Sequence, residues 1–311
     1  MTKVVVAGAT GLAGSAIVKA YQAAGAEVIP VSRKVVDLLD RPATFDFIRS
    51  AKPSLIVDAA AKVGGIGANN SFPVEFLADN LRIQSNLMEA AHAADVEKFV
   101  FLGSSCIYPR DCAQPIKEEY LLTGALEETN SAYAVAKIAG IELIKSFRKE
   151  YGRQWISLMP TNLYGPRDNF ELQGSHVLPA FIRRFVEAAE KGVAVETLWG
   201  TGSPKREFLH VDDLASAVVH LGNSYNSAEH LNIGTGEDLT IKELAKMVAE
   251  LAGFTGEIAW DSSKPDGTPR KVLDVTKAKS LGWSPKISLR DGIASTIDWY
   301  RNATANGEAR R

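Results

Sequence analysis

VVVAGATGLAGSAI, residues 4–17, decides how the rest of this 311-residue chain is read. An apolar strand runs into Gly8-x-x-Gly11-x-x-Gly14 and out into a pattern of helical period. Glycines at that spacing permit a tight turn and let the backbone approach a pyrophosphate. The helix that follows offers free N–H groups and a positive dipole end. The same glycines could serve only close packing of helix on strand. Their place between a first strand and a first helix favours a dinucleotide site that uses Gly8, Ala9, Thr10, Gly11, Leu12, Ala13 and Gly14.

Downstream, strand and helix alternate. Apolar runs at Lys3–Ala7, Glu27–Val31, Leu55–Ala59, Lys98–Gly103 and Trp155–Met159 are separated by helix patterns at Leu12–Ala24, Ala43–Ser50, Val74–Ala94 and Ser131–Tyr151. Continuous apolar strands between amphipathic helices predict an α/β protein, a Rossmann-type doubly wound parallel sheet covered on both faces. Ligands of such sheets bind beyond the carboxyl ends of the strands.

Composition narrows the function. Lysine plus arginine number 35 and aspartate plus glutamate 37, a net charge of −2 that gives no basic excess for nucleic acid. No apolar run is long enough to span a membrane, and the N-terminus enters the first strand directly. A cytoplasmic protein is therefore expected, with no membrane partner. The two cysteines, Cys106 and Cys112, suit neither a disulfide in a reducing compartment nor a metal site, so no metal is expected. The final stretch, NATANGEARR, is expected to fray.

Three further stretches carry chemistry. The second strand ends in Ser32, Arg33 and Lys34 instead of an acidic residue. A guanidinium suits a 2′-phosphate, so Arg33 favours NADP(H) over NAD. GSSCIYP, residues 103–109, sits at a strand's carboxyl end and places a thiol beside two hydroxyls. On residue type alone, Cys106 could be packing, a redox device, a metal ligand or an acid–base group. In SAYAVAKIAG, Tyr133 and Lys137 are four apart and share one helix face. A neighbouring ammonium is expected to lower the phenol's pKa, and the pair can pass a proton to an alcohol or sugar oxygen while a nicotinamide exchanges hydride.

With GATGLAG, GSSCIYP, YAVAK, MPTNLYGP and REFLHVDDLASAV in order, the chain resembles the extended short-chain dehydrogenase/reductase superfamily. The resemblance implies that Ser104 hydrogen-bonds the reacting oxygen, Tyr133 donates the proton, and Lys137 holds the nicotinamide ribose. It also implies that Leu102, Gly103, Ser104, Ser105, Pro160, Thr161, Asn162, Leu163 and His176 line the cofactor. Adding AAAKVGGIGANN, SHVLPAFIRRF, WGTGSPKREFLHVDD and SKPDGTPRK, the sequence is similar to the GDP-L-fucose synthase family of 3,5-epimerase-4-reductases. That similarity implies a GDP-keto-sugar substrate, GDP-4-keto-6-deoxy-D-mannose. It is epimerised at carbons 3 and 5 and then reduced at carbon 4 by NADPH. Protons flanking a ketone are acidic, so inversion needs a base and an acid around the ring. The resemblance assigns these roles to Cys106 and His176. It also implies that Arg184 and Arg206 grip the diphosphate, Trp199 lies against the nucleotide and Asp266 accepts from ribose or base. Arg183 reads as a solvated helix position, Cys112 as loop surface, and Arg270 and Lys271 as added charge near the diphosphate. Some members carry an arginine in the glycine turn. Here Ala9 and Thr10 stand there, leaving the 2′-phosphate to Arg33.

The expected division is a nucleotide domain of 1–164 plus about 207–237, and a smaller discontinuous α/β substrate-binding lobe of 165–206 plus about 238–311. The lobe should carry a helix at His176–Glu190 and a strand at Val195–Trp199, with capping patterns at Thr240/Glu243 and Ser288/Asp291. In this superfamily, helices such as Val74–Ala94 and Ser131–Tyr151 pair between subunits, which implies a homodimer. Two other readings remain open from sequence: a reductase of a related GDP-4-keto-sugar such as a heptose, and a non-catalytic NADP sensor.

Overall fold

The computed structural model describes residues 2–310 other than Gln173 and Pro265. The first half runs β1 (Lys3–Ala7), α1 (Leu12–Ala23), β2 (Glu27–Val31), α2 (Arg41–Ala51), β3 (Leu55–Asp58), α3 (Ile66–Ser71), α4 (Pro73–Ala93), β4 (Lys98–Leu102), α5 (Ser131–Tyr151) and β5 (Ile156–Pro160). The second continues with β6 (Asn162–Tyr164), α6 (Val177–Lys191), β7 (Val195–Trp199), β8 (Lys205–Arg206), β9 (Phe208–His210), α7 (Val211–Ser224) and β10 (Leu231–Ile233). It ends with β11 (Leu239–Thr240), α8 (Ile241–Ala252), β12 (Glu257–Asp261), β13 (Arg270–Lys271), α9 (Thr276–Ser280) and α10 (Leu289–Ala305).

Six strands form one sheet in the order β10-β5-β4-β3-β1-β2, every pair parallel. Strand side chains alternate between faces, so each strand feeds two cores. Val5, Ile56, Phe99 and Phe101 pack with Leu87, Met88, Ile141 and Phe147 of α4 and α5. Val4, Val6, Leu55 and Val57 pack on the other face with Ile17 and Tyr21 of α1 and Leu214 and Val218 of α7. Burial on both faces is why these strands read as unbroken apolar runs. Gly140 fits because the Phe101 ring lies where its side chain would be.

A third core joins Phe181 and Phe185 of α6 to Leu244 and Val248 of α8 and Ile293 and Ile297 of α10. The chain enters this lobe after β6 and returns through β9, which pairs with β6. The Thr240–Glu243 capping box is complete, and Ser288 caps α10 by accepting from the Asp291 N–H.

Several expectations need correction. Helix α3 was not legible, since six residues give too short a period to register. The expected boundary placed all of 238–311 in the lobe. Leu273 and Val275, and then Ala278 and Trp283, are instead buried in the two cores that flank the large sheet. The tail does not simply fray: Phe170 donates its N–H to the Arg310 carbonyl at 2.8 Å. Cys112 is half-buried and packs against the core beneath α4 and α5, not on a loop surface.

Candidate active site

The glycine turn closes on itself through the Gly11 N–H donating to the Gly8 carbonyl at 3.0 Å, and the Ala9 N–H reaches Val31 at the end of β2. Gly8 has φ of +77°, and a methyl there would sit 2.6 Å from the Ala59 carbonyl oxygen. Helix α1 follows Gly11 at its N-cap, with no side-chain cap and no acidic residue in its first turn. Its leading N–H groups are therefore left for an outside anion, and the residues present fit a dinucleotide pyrophosphate. Arg33 and Lys34 are exposed in the turn just beyond β2, on the side the glycine turn leans against.

Beyond the carboxyl end of β4, Ser104 turns the chain into a short 3-10 segment, its hydroxyl accepting from the Cys106 N–H at 3.2 Å. Gly103 is needed because the Met159 side chain occupies the space a Cβ would take. Behind the turn, the Tyr108 hydroxyl donates to Asn232 Oδ1 at 2.5 Å and lies 3.0 Å from His230 Nε2, tying the loop to β10. Pro160 ends β5; the Thr161 N–H bonds Ile233, the Asn162 side chain donates to the Glu207 carbonyl, and Leu163 is half-buried. Ser105 is 3% exposed.

Helix α5 brings Tyr133 and Lys137 to this strand end. Lys137 Nζ donates to the Leu102 carbonyl at 2.9 Å and lies 4.8 Å from the Phe101 ring centre and 5.8 Å from that of Tyr133. Burial pulls its pKa down to about 8, against the pull of Asp58. The expected lowering of the Tyr133 pKa does not occur. Burial and the negative charge that Cys106 and Asp58 can carry raise it, and a hydrogen bond with Ser104 only partly compensates. A phenol that keeps its proton is the form a proton donor requires.

Sequence reasoning missed Asp58. It ends β3 between Ala7 and Phe101 in register, is 1% exposed, and has one carboxyl oxygen without a hydrogen-bond partner. Burial raises its pKa to about 6, with Lys137 pulling the other way. An acid closing the otherwise apolar LIVD was the available signal.

His176 stands just before α6, at the N-cap of the lobe's first helix. The chain leading to it is braced by α3: the Gly65 N–H donates to the Gly174 carbonyl, and Gly65 fits tightly against Ser175. The ring is reachable by water yet crowded by protein. That crowding, with the Lys271 charge, lowers its pKa. Lys271, on β13, donates to Cys106 Sγ at 3.7 Å. Ser104, Cys106, Tyr133 and Lys137 thus gather at one strand end, and His176 feels the same lysine that touches Cys106.

The remaining lobe residues differ in how far they are already engaged. Arg184 is held by Glu196 and the Thr197 carbonyl, both at 2.6 Å. Arg206 donates to the Lys205 and Thr268 carbonyls, and burial lowers its pKa against the pull of Asp266 and Cys106. Asp266 accepts from the backbone and hydroxyl of Thr201. Trp199 is 74% exposed. Arg183 is not a solvated position: it is half-buried and bonded to Glu187 and the Phe170 carbonyl. Arg270 pairs with Asp238. Glu207, fully buried, accepts from the N–H groups of Thr235, Gly236 and Leu273 and so fixes the strands that carry Arg206 and Lys271.

Residues 4–234 match the family described as NAD dependent epimerase/dehydratase. The chain is 52% identical to GDP-L-fucose synthase 1 of Arabidopsis thaliana over 305 residues, 98% of this chain and 94% of that protein. It is 49% identical to GDP-L-fucose synthase of Escherichia coli K12 over 308 residues, 96% of each. Its fold matches the solved structure of a GDP-mannoheptose C4 reductase from Campylobacter jejuni with NADP bound. The TM-score is 0.89 at 35% identity, covering 96% of this chain and 98% of that one.

Proposed function

From a chain that belongs to the NAD dependent epimerase/dehydratase family, and within it to the GDP-L-fucose synthases, we propose the conversion of GDP-4-keto-6-deoxy-D-mannose to GDP-L-fucose. The protein is an NADP-dependent oxidoreductase and epimerase. One convergence carries the reading: a proton-bearing Tyr133, a buried Lys137 and the Ser104 hydroxyl share a strand end with a thiol that has an ammonium 3.7 Å away.

The glycine turn and the bare start of α1 would hold the pyrophosphate of NADP(H), Arg33 the 2′-phosphate, and Lys137 the nicotinamide ribose. Residues 102–105 and 160–163 line the nicotinamide side. In the first reaction Cys106, as thiolate, removes the proton at the carbon next to the ketone. The negative charge passes to the carbonyl oxygen, where the hydroxyls of Ser104 and Tyr133 steady it. His176 returns a proton from the opposite face, and the cycle at carbons 3 and 5 inverts both centres. Bound NADPH supplies a hydride to carbon 4. Tyr133 gives its proton to the oxygen of that carbon, and Ser104 keeps the oxygen in line. Arg184, Arg206, Trp199 and Asp266 form the nucleotide-diphosphate side. Arg184 and Asp266 must trade or share bonds they already make.

A reductase that leaves carbons 3 and 5 untouched has no use for Cys106 and His176, and the higher identity to fucose synthases favours the epimerising reading. We further propose a homodimer through the outward faces of α4 and α5, where Val74 and Val135 are exposed. We place the protein in the cytosol, a reducing compartment that fits two free cysteines. The experiment is incubation with GDP-4-keto-6-deoxy-D-mannose and NADPH, with NMR of the product. GDP-L-fucose is expected. In heavy water, Tyr133→Phe should stop NADPH oxidation while deuterium still enters carbons 3 and 5, and Cys106→Ser should slow that entry sharply. Normal exchange in the Cys106 variant would remove the thiol from the mechanism.

A further inference from the structure

Lys271 lies 165 residues from Cys106 in sequence, yet its ammonium donates to the Cys106 sulfur at 3.7 Å. Three anchors hold it there. Strand β13 pairs with β8 beside Lys205 and Arg206. The next residue, Val272, exchanges bonds with the loop that follows Cys106: its N–H donates to Gln114 Oε1 and its carbonyl accepts from Ile116. One residue further, the Leu273 N–H is taken by the buried Glu207 carboxylate. A lysine whose backbone is fixed this firmly is a built feature of the site and not a drifting surface charge.

We propose that Lys271 is a positioning residue for epimerisation: its ammonium holds Cys106 in the thiolate form that removes the sugar's proton. The inference rests on the epimerase reading above and adds to it the group that readies the base. Among the described residues, charged and titratable side chains reach toward Cys106 from three elements. Lys271 comes from β13, Arg206 from β8 and Tyr133 from α5, so two cations and one proton-bearing phenol surround the sulfur. Asp58 lies behind Tyr133, where it acts on the phenol and on Lys137. Both cations favour negative sulfur, and Lys271 is the one in contact with it. Burial, and then the same ammonium, disfavour a proton on His176, so the free enzyme favours the neutral imidazole.

The test uses the full-length protein without substrate, in a Cys112→Ser background so that Cys106 is the only thiol. Alkylation by iodoacetamide follows the thiolate fraction. At pH 7, Lys271→Met should slow alkylation of Cys106 about fivefold or more, the factor a unit charge near 4 Å exerts even through water-like screening. Lys271→Arg should restore most of the rate. The pH at which alkylation reaches half its plateau should rise in the methionine variant. NADPH affinity and the melting curve serve as the folding control. A lysine that served only the diphosphate would leave alkylation of the free enzyme unchanged. Equal rates and equal pH dependence in Lys271→Met and its parent would therefore overturn the proposal. Because no sugar nucleotide is present, this result is independent of whether the protein makes GDP-L-fucose.

Discussion

Replacing Lys137 with methionine should abolish reduction and still make the protein more stable at neutral pH. The ammonium is 3% exposed, and burial brings its pKa from 10.5 to about 8. At 1.36 kcal/mol per pH unit, holding that charge in the fold costs about 3 kcal/mol at pH 7. Methionine fills a similar volume without the charge. Two losses offset the gain. The Leu102 carbonyl gives up its 2.9 Å hydrogen bond, worth about 1 kcal/mol. Asp58 loses the cation that draws its pKa down, and takes up a proton more readily. A net gain of about 1–2 kcal/mol remains.

The pH dependence follows from the direction of the shift. A lysine whose folded pKa lies below its unfolded one binds its proton less well when folded. The penalty is complete below about pH 8 and is relieved as pH rises from 8 to 10.5. The stability gap between variant and parent should be full at pH 7, smaller at pH 9 and reversed by pH 10.5, where the lost Leu102 hydrogen bond outweighs what remains of the penalty. Denaturant unfolding of the cofactor-free proteins at those three pH values measures it, with NADPH oxidation recorded beside it. A Lys137→Met protein less stable than its parent at pH 7, or a gap that does not change with pH, would refute the reasoning.

Two further outcomes are expected. Arg33→Asp should weaken NADPH binding by tenfold or more, on the order of one charge-assisted phosphate contact reversed in sign, and leave NADH nearly unchanged; cofactor titration by nicotinamide fluorescence decides it, and equal loss for both would remove Arg33 from the 2′-phosphate. Gly14→Ala should lower stability by about 1–3 kcal/mol and weaken both cofactors alike, because the new methyl would press on the Gly8 carbonyl and Ala9 Cα, backbone atoms that cannot swing aside; melting curves and the same titration check it.

Much of this site was written locally. Strand and helix announce themselves within a few residues, because side chains repeat every two or 3.6 positions. Val4–Val6 and Leu55–Val57 read as strands buried on both faces, and they are. The turn at Gly8–Gly14 and the four-residue step from Tyr133 to Lys137 needed only such spacing. What spacing could not carry was the meeting of distant segments. Asp58 looks like an ordinary strand end until β3 is set between β1 and β4, behind the phenol and the ammonium. Lys271 looks like spare charge for a phosphate until β13 is laid beside β8 and tied to Gln114 and Glu207.

The sequence by itself determined the elements, the nucleotide turn and the residue types that can move protons and hydride, since each depends on neighbours along the chain. The tertiary structure alone decided which protonation states those groups hold. A pKa is set by burial and by charges a few ångströms away in space, and here those charges come from strands far apart in the chain. That is why the Tyr133 pKa is raised where the lysine one helical turn along led us to expect it lowered, and why the cation touching Cys106 comes from the other end of the protein.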